Sequence, residues 1–551
     1  MSSVPKAARL SALRAELKIL NEALLPSEID IPCLFPVTSS KNKKYHRILK
    51  LNITEACVLN SAERVPYLLL IEFLNDELDF NPFSEYNQRI INDSSFSFKY
   101  VQNEYEKNST LTGEKDFSSK QDTSNIIHDE TDLGELSLIR NKNLIHSNIE
   151  TKFSRLASDE SHISKNISPI ANKENSSVLA DQMRIASVML QQLENSGQSN
   201  TPQFIAIKNR IIESMISLQD QFETMDYETL KEFKTDEQDA GQRKLENDFK
   251  ISEDWIAKKQ RIRSSSAFGH LENWDLCSVI VKNGDDLPQE AFACQLISII
   301  SNIWKKQNVT FWTKRMKILI TSANAGLVET ITNAMSIHSI KKSLTEISIV
   351  RGENSKGRIF TIQDYFDKLF GAPGSSKYSK AQENFAISLA SYSIICYVLQ
   401  IKDRHNGNIM LDHDGHIIHI DFGFLLSNSP GSVGFEAAPF KLTTEYIDVL
   451  GGLGSKFYQT FVSVCKDCFK ALRREWQQLV NIVELMQKDS NLPCFNNGEN
   501  TSVLLQQRMQ LELSEEDLDS FVENYLIGKS IGSMYTRLYD QFQMITQGIY
   551  N

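Results

Sequence analysis

Apolar residues recur in different rhythms along the chain, and each rhythm predicts a different element. Leu10, Leu13, Leu17 and Leu20 share one side of a helix within residues 1–20, with charges on the other side and no signal-peptide pattern. Tyr45–Leu51 and Tyr67–Phe73 are short alternating runs that predict strands. From about Asn81 to Thr201 the texture turns to Ser, Asn, Asp and Lys with few apolar clusters. Stretches such as Ser94–Ser97 or Asp116–Ser124 cannot bury enough surface to offset their ordering entropy, so this region reads as a disordered insertion. It serves either as a spacer or as a regulatory, docking insertion. Met183–Leu193 and Phe204–Leu218 keep a helical period and predict two helices at its end.

From Glu253 onward the chain is dense in apolar residues. Strands are expected to predominate to about Val350 and helices after Asp364. Trp274–Lys282 reads as a strand ending in a lysine, followed by the turn Asn283-Gly284-Asp285. Asp286 and Gln289 have the spacing of a capping box, with Pro288 in the first turn of the helix, where proline is tolerated. Asn408–Asp412 and His416–Ile420 read as strands joined by a two-residue Asp414-Gly415 turn. The most apolar stretch, Phe385–Leu399, carries Ser388, Ser391 and Ser393 and is shorter than the ~20 residues of a membrane span, so it predicts a buried core helix. A small strand-rich part followed by a larger helical part predicts an α+β fold of two lobes with a cleft between them.

Composition narrows the function classes. The 59 basic and 70 acidic side chains give a net charge of −11, which argues against a nucleic-acid binder and leaves membrane docking to local patches. The cysteines (33, 57, 277, 294, 396, 465, 468 and 494) are scattered through apolar runs, as reduced buried thiols would be. The lone Cys465-x-x-Cys468 has no second pair and reads as two thiols on one helix face.

The chemistry concentrates in Lys402-Asp403-Arg404-His405-Asn406-Gly407-Asn408 and the following Ile420-Asp421-Phe422-Gly423. If the two-residue turn sets the register, Asn408 lies opposite Asp421. An amide oxygen and a carboxylate side by side suit a hard divalent cation. His405 adds a group able to take a proton near neutral pH. Metal pair, imidazole and rigid hairpin together describe phosphoryl transfer. Upstream, the hydroxyl-rich turn Ser264-Ser265-Ser266-Ala267-Phe268-Gly269 is a candidate phosphate loop, Lys282 a cation for the same phosphates, and Glu290 a carboxylate able to reach back to that lysine.

These runs, with Ser278–Glu290, Phe440–Gly452 and Thr536–Tyr550, resemble the phosphatidylinositol 3-/4-kinase superfamily, and within it the type III beta phosphatidylinositol 4-kinases of fungi and animals. The likeness covers roughly residues 251–551 and the first 79. It implies a bilobal protein-kinase-like fold and transfer of the ATP γ-phosphate to the 4-hydroxyl of phosphatidylinositol. Its implied divisions are 1–79 as the start of the small lobe, 80–200 as the insertion, 201–250 as a helical segment, 251–331 as the rest of the small lobe and hinge, and 332–551 as the large lobe. The chain then starts close to the small lobe, without the helical region that members carry upstream.

Carried over by position, Lys282 contacts the ATP phosphates under the 264–269 loop, and Glu329-Thr330-Ile331 is the hinge for adenine, with Ile420 lining the same pocket. His405 is the base or stabilises the transferring group, Asp403 and Arg404 position the loop, and Asn408 and Asp421 bind Mg2+, with Mn2+ as an alternative. Pro288 departs from the family's usual arginine. Phe422, Gly423 and Lys441 belong to the substrate loop; from Phe422 to Phe440 it contains no Lys or Arg, which disfavours a ring already carrying phosphate. The resemblance also implies small GTPases and calcium-sensor or 14-3-3-type partners, no nucleic acid, and a cytoplasmic enzyme peripheral on Golgi membranes, with the nucleus as a second location. The stripe Leu538, Tyr539, Phe542, Ile545, Ile549 and Tyr550 either packs on the large lobe or inserts at a membrane interface. The alternatives are a 3-kinase or protein kinase of the same superfamily, and a non-catalytic scaffold.

Overall fold

A computed structural model describes residues 5–26, 44–60, 65–79, 240–284, 286–428 and 438–551, with isolated positions between 31 and 34 and between 88 and 214. Most of the 80–200 insertion therefore lies outside the described residues, as do Pro430-Gly431 and Gly434-Phe435 of the substrate loop. Of the two helices expected at Met183–Leu193 and Phe204–Leu218, a few positions are described, and Ala186, Ala206 and Ile207 are helical.

The small lobe is one twisted antiparallel sheet. Strands β1 (Lys44–Leu51), β2 (Cys57–Val58) and β3 (Tyr67–Asp79) come from before the insertion. Helices α2 (Ala240–Ile251) and α3 (Trp255–Ser265) then lead into β4 (Trp274–Asn283). After α4 (Leu287–Lys306) come β5 (Ile318–Ser322) and β6 (Ala325–Glu329). The order is β1-β3-β4-β6-β5, with β2 on β3. One sheet face buries Leu69, Ile71, Phe73 and Val279 against Leu13 and Leu17 of α1 (Arg9–Ala23). Thus only the middle of the N-terminal leucine stripe is used, and Leu10 and Leu20 remain exposed.

Residues 330–333 pass from β6 into a second sheet, β7-β8-β9, made of Ala334–Ser336, Ile409–Asp412 and Ile417–His419. Around it stand α5 (Ile337–Val350), α6 (Ile362–Phe370), α7 (Ser376–Leu399), α8 (Thr444–Val449), α9 (Lys456–Arg474) and α10 (Trp476–Gln487). Helices α11 (Asn500–Arg508), α12 (Glu515–Ser520) and α13 (Met534–Gln547) complete the large lobe. Helix α7 is buried along its whole C-terminal half, the serines included, because Ser388 and Ser391 return their hydroxyls to carbonyls of the preceding turn. It is the expected core helix, and no described helix is long and apolar enough to cross a membrane.

The α+β division into two lobes is as expected, with one difference. The region up to Val350 was expected to be mainly strand, yet it also holds the long helices α4 and α5. Their buried residues lie on nearly every side, which blurs the helical period. Cys465 and Cys468 are fully buried free thiols on α9, raised well above the ordinary thiol range by burial. The basic face of α9 is tied to acidic groups nearby, Lys466 to Glu523 at 2.5 Å and Lys470 to Asp519 at 2.7 Å.

Candidate active site

Lys282 sits near the end of β4, opposite Gly326 of β6. Its ammonium pairs with Glu290 in the first turn of α4, a carboxylate that is almost fully buried, and Asp286 lies 3.9 Å away. Burial opposes the ammonium, but Glu290, Asp421 and Asp286 outweigh it and raise the Lys282 pKa above the ordinary range. The capping box does not form: Asp286 has helical φ and ψ and makes no side-chain cap. Gln289 has another task. Its amide nitrogen donates to the carbonyls of Phe422 and Gly423, while its oxygen accepts from the Cys494 N–H at 2.8 Å. Buried Gln289 thus joins α4 to the chain just after Asp421.

The hairpin register differs by one residue from the expected one. Ile409 pairs with His419 and Leu411 with Ile417, and the Ile420 N–H donates to the Asn408 carbonyl at 3.0 Å. The cause is a three-residue loop, His413-Asp414-Gly415, closed by the Asp412 N–H to the His416 carbonyl at 3.1 Å, with Gly415 at φ 90°. Asn408 therefore faces Ile420, not Asp421. Asp421 comes back toward the site through a left-handed turn at φ 60°, and Asp403 has a similar φ of 62°. Both are short polar residues that tolerate this region at a modest cost.

Arg404 holds these two turns together. Its guanidinium is buried and donates to the carbonyls of Lys402 (2.8 Å), Ile420 (2.8 Å) and Asp421. Asn408 donates its amide N–H to the Asp403 carbonyl and carboxylate at 3.1 and 3.2 Å, which leaves its amide oxygen as an acceptor. Asp421 is exposed in the cleft, and among the described residues no hydrogen bond or ion pair engages its carboxylate. Its charge reaches Lys282 on one side and Asp403 and His405 on the other. Asn408 and Asp421 offer hard oxygen donors, the kind that a divalent cation such as Mg2+ prefers.

His405 is neutral in this setting, since burial, Arg404 and Lys441 push its pKa down to about 3. Its Nδ1 accepts the Gly407 N–H at 3.1 Å, so the ring proton is on Nε2, 3.7 Å from Asp403 Oδ1. A side chain at Gly407 would lie 3.0 Å from that ring. Burial and the Asp421 charge raise Asp403 to about 6, against hydrogen bonds from Tyr539 and Asn408 and the charge of Arg404. The phenol of Tyr539 donates to Asp403 Oδ1, a contact between α13 and this loop that no local pattern announces.

The other expected site residues divide. Ile331 and Ile420 meet in a small apolar cluster with Ala334, Met410 and Ile418, at the connection between the lobes. Thr330 is tied to Ser278 by both backbone and hydroxyl, and Glu329 lies opposite Val279, on the sheet face away from Lys282. Phe422 is buried, with Arg404 over its ring. Lys441 is buried in a 2.5 Å ion pair with Asp540 of α13, so its cation is spent inside the fold. The C-terminal apolar stripe is likewise mostly internal: Leu538, Tyr539 and Ile545 of α13 and Ile549 and Tyr550 just after it are all buried, as the packing alternative required.

The 264–269 turn is not brought to Lys282. Ser264 and Ser265 end α3 and return their hydroxyls to Gln260 and Ile262, Ser266 donates to Glu72, and Phe268 packs by Trp274. Gly269 takes the Arg263 Nε–H on its carbonyl at 2.9 Å, and with Ala267 it closes the turn at the Trp274 end of β4. Eight residues of strand separate that end from Lys282, roughly 26 Å at ~3.3 Å per residue. What does arrive beside Lys282 is the end of β2 and the start of β3, because Val58 pairs with Tyr67 and Tyr67 with Val281.

Neutral buried histidines have a measurable consequence. His338 is held near pKa 3 by burial, against an unfolded value of ~6.5. Below ~6.5 the unfolded chain takes up a proton that the fold refuses, so stability falls with pH down to about 3. Thermal melts at pH 7, 6, 5 and 4 should show the wild-type advantage over His338→Gln shrinking by about 1.4 kcal/mol per pH unit below pH 6.5. A constant gap would mean that His338 is protonated in the fold.

Comparison with known proteins supplies the family. The phosphatidylinositol 3- and 4-kinase family matches residues 276–497, the stretch that carries Lys282, Glu290, the 402–408 loop and Asp421. Phosphatidylinositol 4-kinase PIK1a of Candida albicans is 72% identical over 566 residues, covering 100% of this chain and 59% of that protein. Phosphatidylinositol 4-kinase pik1 of Schizosaccharomyces pombe is 41% identical over 596 residues, covering 99% and 68%. Phosphatidylinositol 4-kinase beta of Mus musculus is 35% identical over 552 residues, covering 99% and 58%. The chain thus spans less than two thirds of the length of most of these relatives, and on this likeness along its whole length it belongs to the phosphatidylinositol 4-kinase family.

Proposed function

We propose that this protein transfers the γ-phosphate of ATP to the 4-hydroxyl of phosphatidylinositol at a membrane surface. The observation that carries the reading is the convergence on Asp421 of the half-buried Lys282, paired with buried Glu290, from one lobe and the Asp403–Asn408 loop from the other. The family likeness supports the lipid and the ring position.

Lys282, fixed by Glu290, offers a point charge to phosphate oxygens. The oxygens of Asn408 and Asp421 would hold Mg2+, with Mn2+ as an alternative, which when bound would neutralise charge on the phosphates. His405 carries its proton on Nε2 and acts as a donor to the transferring group, so of its two expected roles stabilisation fits better than proton abstraction. The nearby Asp403, whose pKa is raised to about 6, is the acceptor for the hydroxyl proton. Ile331 and Ile420 form an apolar wall for adenine.

Charge favours an unphosphorylated ring. No Lys or Arg occurs from Phe422 to Phe440, and the next cation, Lys441, is neutralised by Asp540. Cytoplasmic recruitment to Golgi membranes and to the nucleus, with small GTPases and calcium-sensor or 14-3-3-type partners, belongs to the same reading and follows from family likeness alone. The test is incubation with phosphatidylinositol vesicles and labelled ATP, then ring-position analysis of the product. Label on the 4-hydroxyl is expected. Label on the 3-hydroxyl, or only on protein, overturns the assignment.

A further inference from the structure

Helix α2 lies where the chain re-enters the kinase lobes after the insertion, and it is bonded to both of them. At 100° per residue, Gly241, Leu245 and Asp248 share one face, while Glu246, Asn247 and Lys250 lie around the other side. The first face is buried on the large lobe. Asp248 accepts from the Ser336 N–H at 3.0 Å and its hydroxyl at 2.5 Å, at the N-cap of α5. The Gly241 carbonyl accepts from His338 Nε2 at 2.8 Å, and the other ring nitrogen of His338 accepts the Tyr550 N–H at 2.8 Å. A Cβ on Gly241 would stand 2.2 Å from the Gly548 carbonyl, so this approach requires glycine.

The same His338 and Tyr550 hold the catalytic loop. The His338 N–H donates to the Asn406 carbonyl at 3.0 Å, and the Asn406 amide donates to the Tyr550 carbonyl at 3.0 Å. On its other side α2 grips the β2–β3 connection. Asn247 accepts the Asn60 N–H at 2.8 Å and donates to the Asn60 carbonyl at 3.0 Å, a reciprocal pair. Glu246 accepts from the Asn60 amide, and Lys250 donates to the Val58 carbonyl at 3.2 Å. Val58 pairs with Tyr67, which pairs with Val281 beside Lys282.

We propose that α2 is a strut that sets the spacing between Val58–Asn60, at the Lys282 end of the sheet, and the 403–408 loop, with Asn247 as its positioning residue. Asn247 touches no reacting atom and acts through Asn60. The consequence is that whatever shifts α2 changes both halves of the site together. The proposal rests on the assignment of these two loops to the active site.

The test is hydrogen exchange on the full chain, which needs no turnover. Asn247→Ala should speed exchange severalfold at Leu59–Asn60 and also at Asn406–Asn408, at the far end of the strut, with the melting temperature unchanged within a few degrees. In the reverse direction, Gly241→Ala should speed exchange at Leu59–Asn60, since coupling through one element is reciprocal. In turnover assays Asn247→Ala should raise KM for ATP about fivefold with a smaller change in kcat, and Asn247→Asp, which keeps the acceptor for the Asn60 N–H, should recover part of the loss. Faster exchange at residues 59–60 without any at 406–408 would overturn the proposal and reduce α2 to a local cap. No change at either end would overturn it as well. An inactive wild type in the lipid assay would instead count against the assigned reaction, and leave the exchange result to decide the strut.

Discussion

Replacing Asp421 with alanine should lower phosphoryl transfer at least about a thousandfold. The carboxylate stands between Lys282 and the Asp403–Asn408 loop, has no hydrogen bond or ion pair among the described residues, and is more exposed than Asp286, Glu290 or Asp403. Alanine also carries a backbone cost, because position 421 has φ 60°, where an ordinary L-residue is disfavoured by about 1–2 kcal/mol. Asp421→Asn separates the two effects, since asparagine tolerates this φ and keeps the shape while losing the charge. Both variants should be inactive with labelled ATP and phosphatidylinositol vesicles, and only the alanine variant should melt lower. Turnover within tenfold of wild type in Asp421→Asn would remove the cation-binding role.

Lys282→Met should lower turnover about a hundredfold to a thousandfold and also destabilise the small lobe. The second effect follows from burial: Glu290 is 5% exposed, and deleting its partner leaves a buried carboxylate with no adjacent cation. Breaking such a pair costs about 3–5 kcal/mol. Adding Glu290→Gln should restore the melting temperature, since it removes the stranded charge, and should not restore turnover. A double variant that regains activity would show that the pair holds the fold and that phosphate contact comes from elsewhere. If the single variant keeps normal activity, the nucleotide does not sit at this end of β4.

Most local features are legible from neighbouring residues, with two exceptions: Asp286 and Gln289 form no capping box, and the hairpin loop has three residues, not two. The hairpin around residues 408–421 was legible from its strands and turn, yet one extra loop residue moved the register, and the left-handed turn at Asp421 did what direct pairing was expected to do. The Lys282–Glu290 pair was legible because one turn and the start of one helix separate the two. The Gln289 contacts to residues 422, 423 and 494 were not, because nothing local in a helical glutamine tells which backbone it will meet.

The hydroxyl-rich 264–269 turn shows the limit most clearly. It precedes the lysine strand in sequence, but it stands at that strand's opposite end, and its hydroxyls are used by the carbonyls of α3 and by Glu72. Antiparallel pairing of β3 with β4 carries the start of β3 to the lysine instead.

By itself, then, the order of residues determined the element types, the division into a strand-rich and a helical lobe, and the group of side chains fit for phosphoryl transfer. Periodicity, turn chemistry and functional-group identity are local properties, readable over a few residues at a time. Tertiary structure alone decided which strand end lies beside Lys282, that Lys441 is consumed by Asp540, that the C-terminal apolar stripe packs inward with Tyr539 bonded to Asp403, and that α2 joins both lobes. Each is a pairing between segments far apart in the chain, selected by the burial and hydrogen bonding of the whole fold.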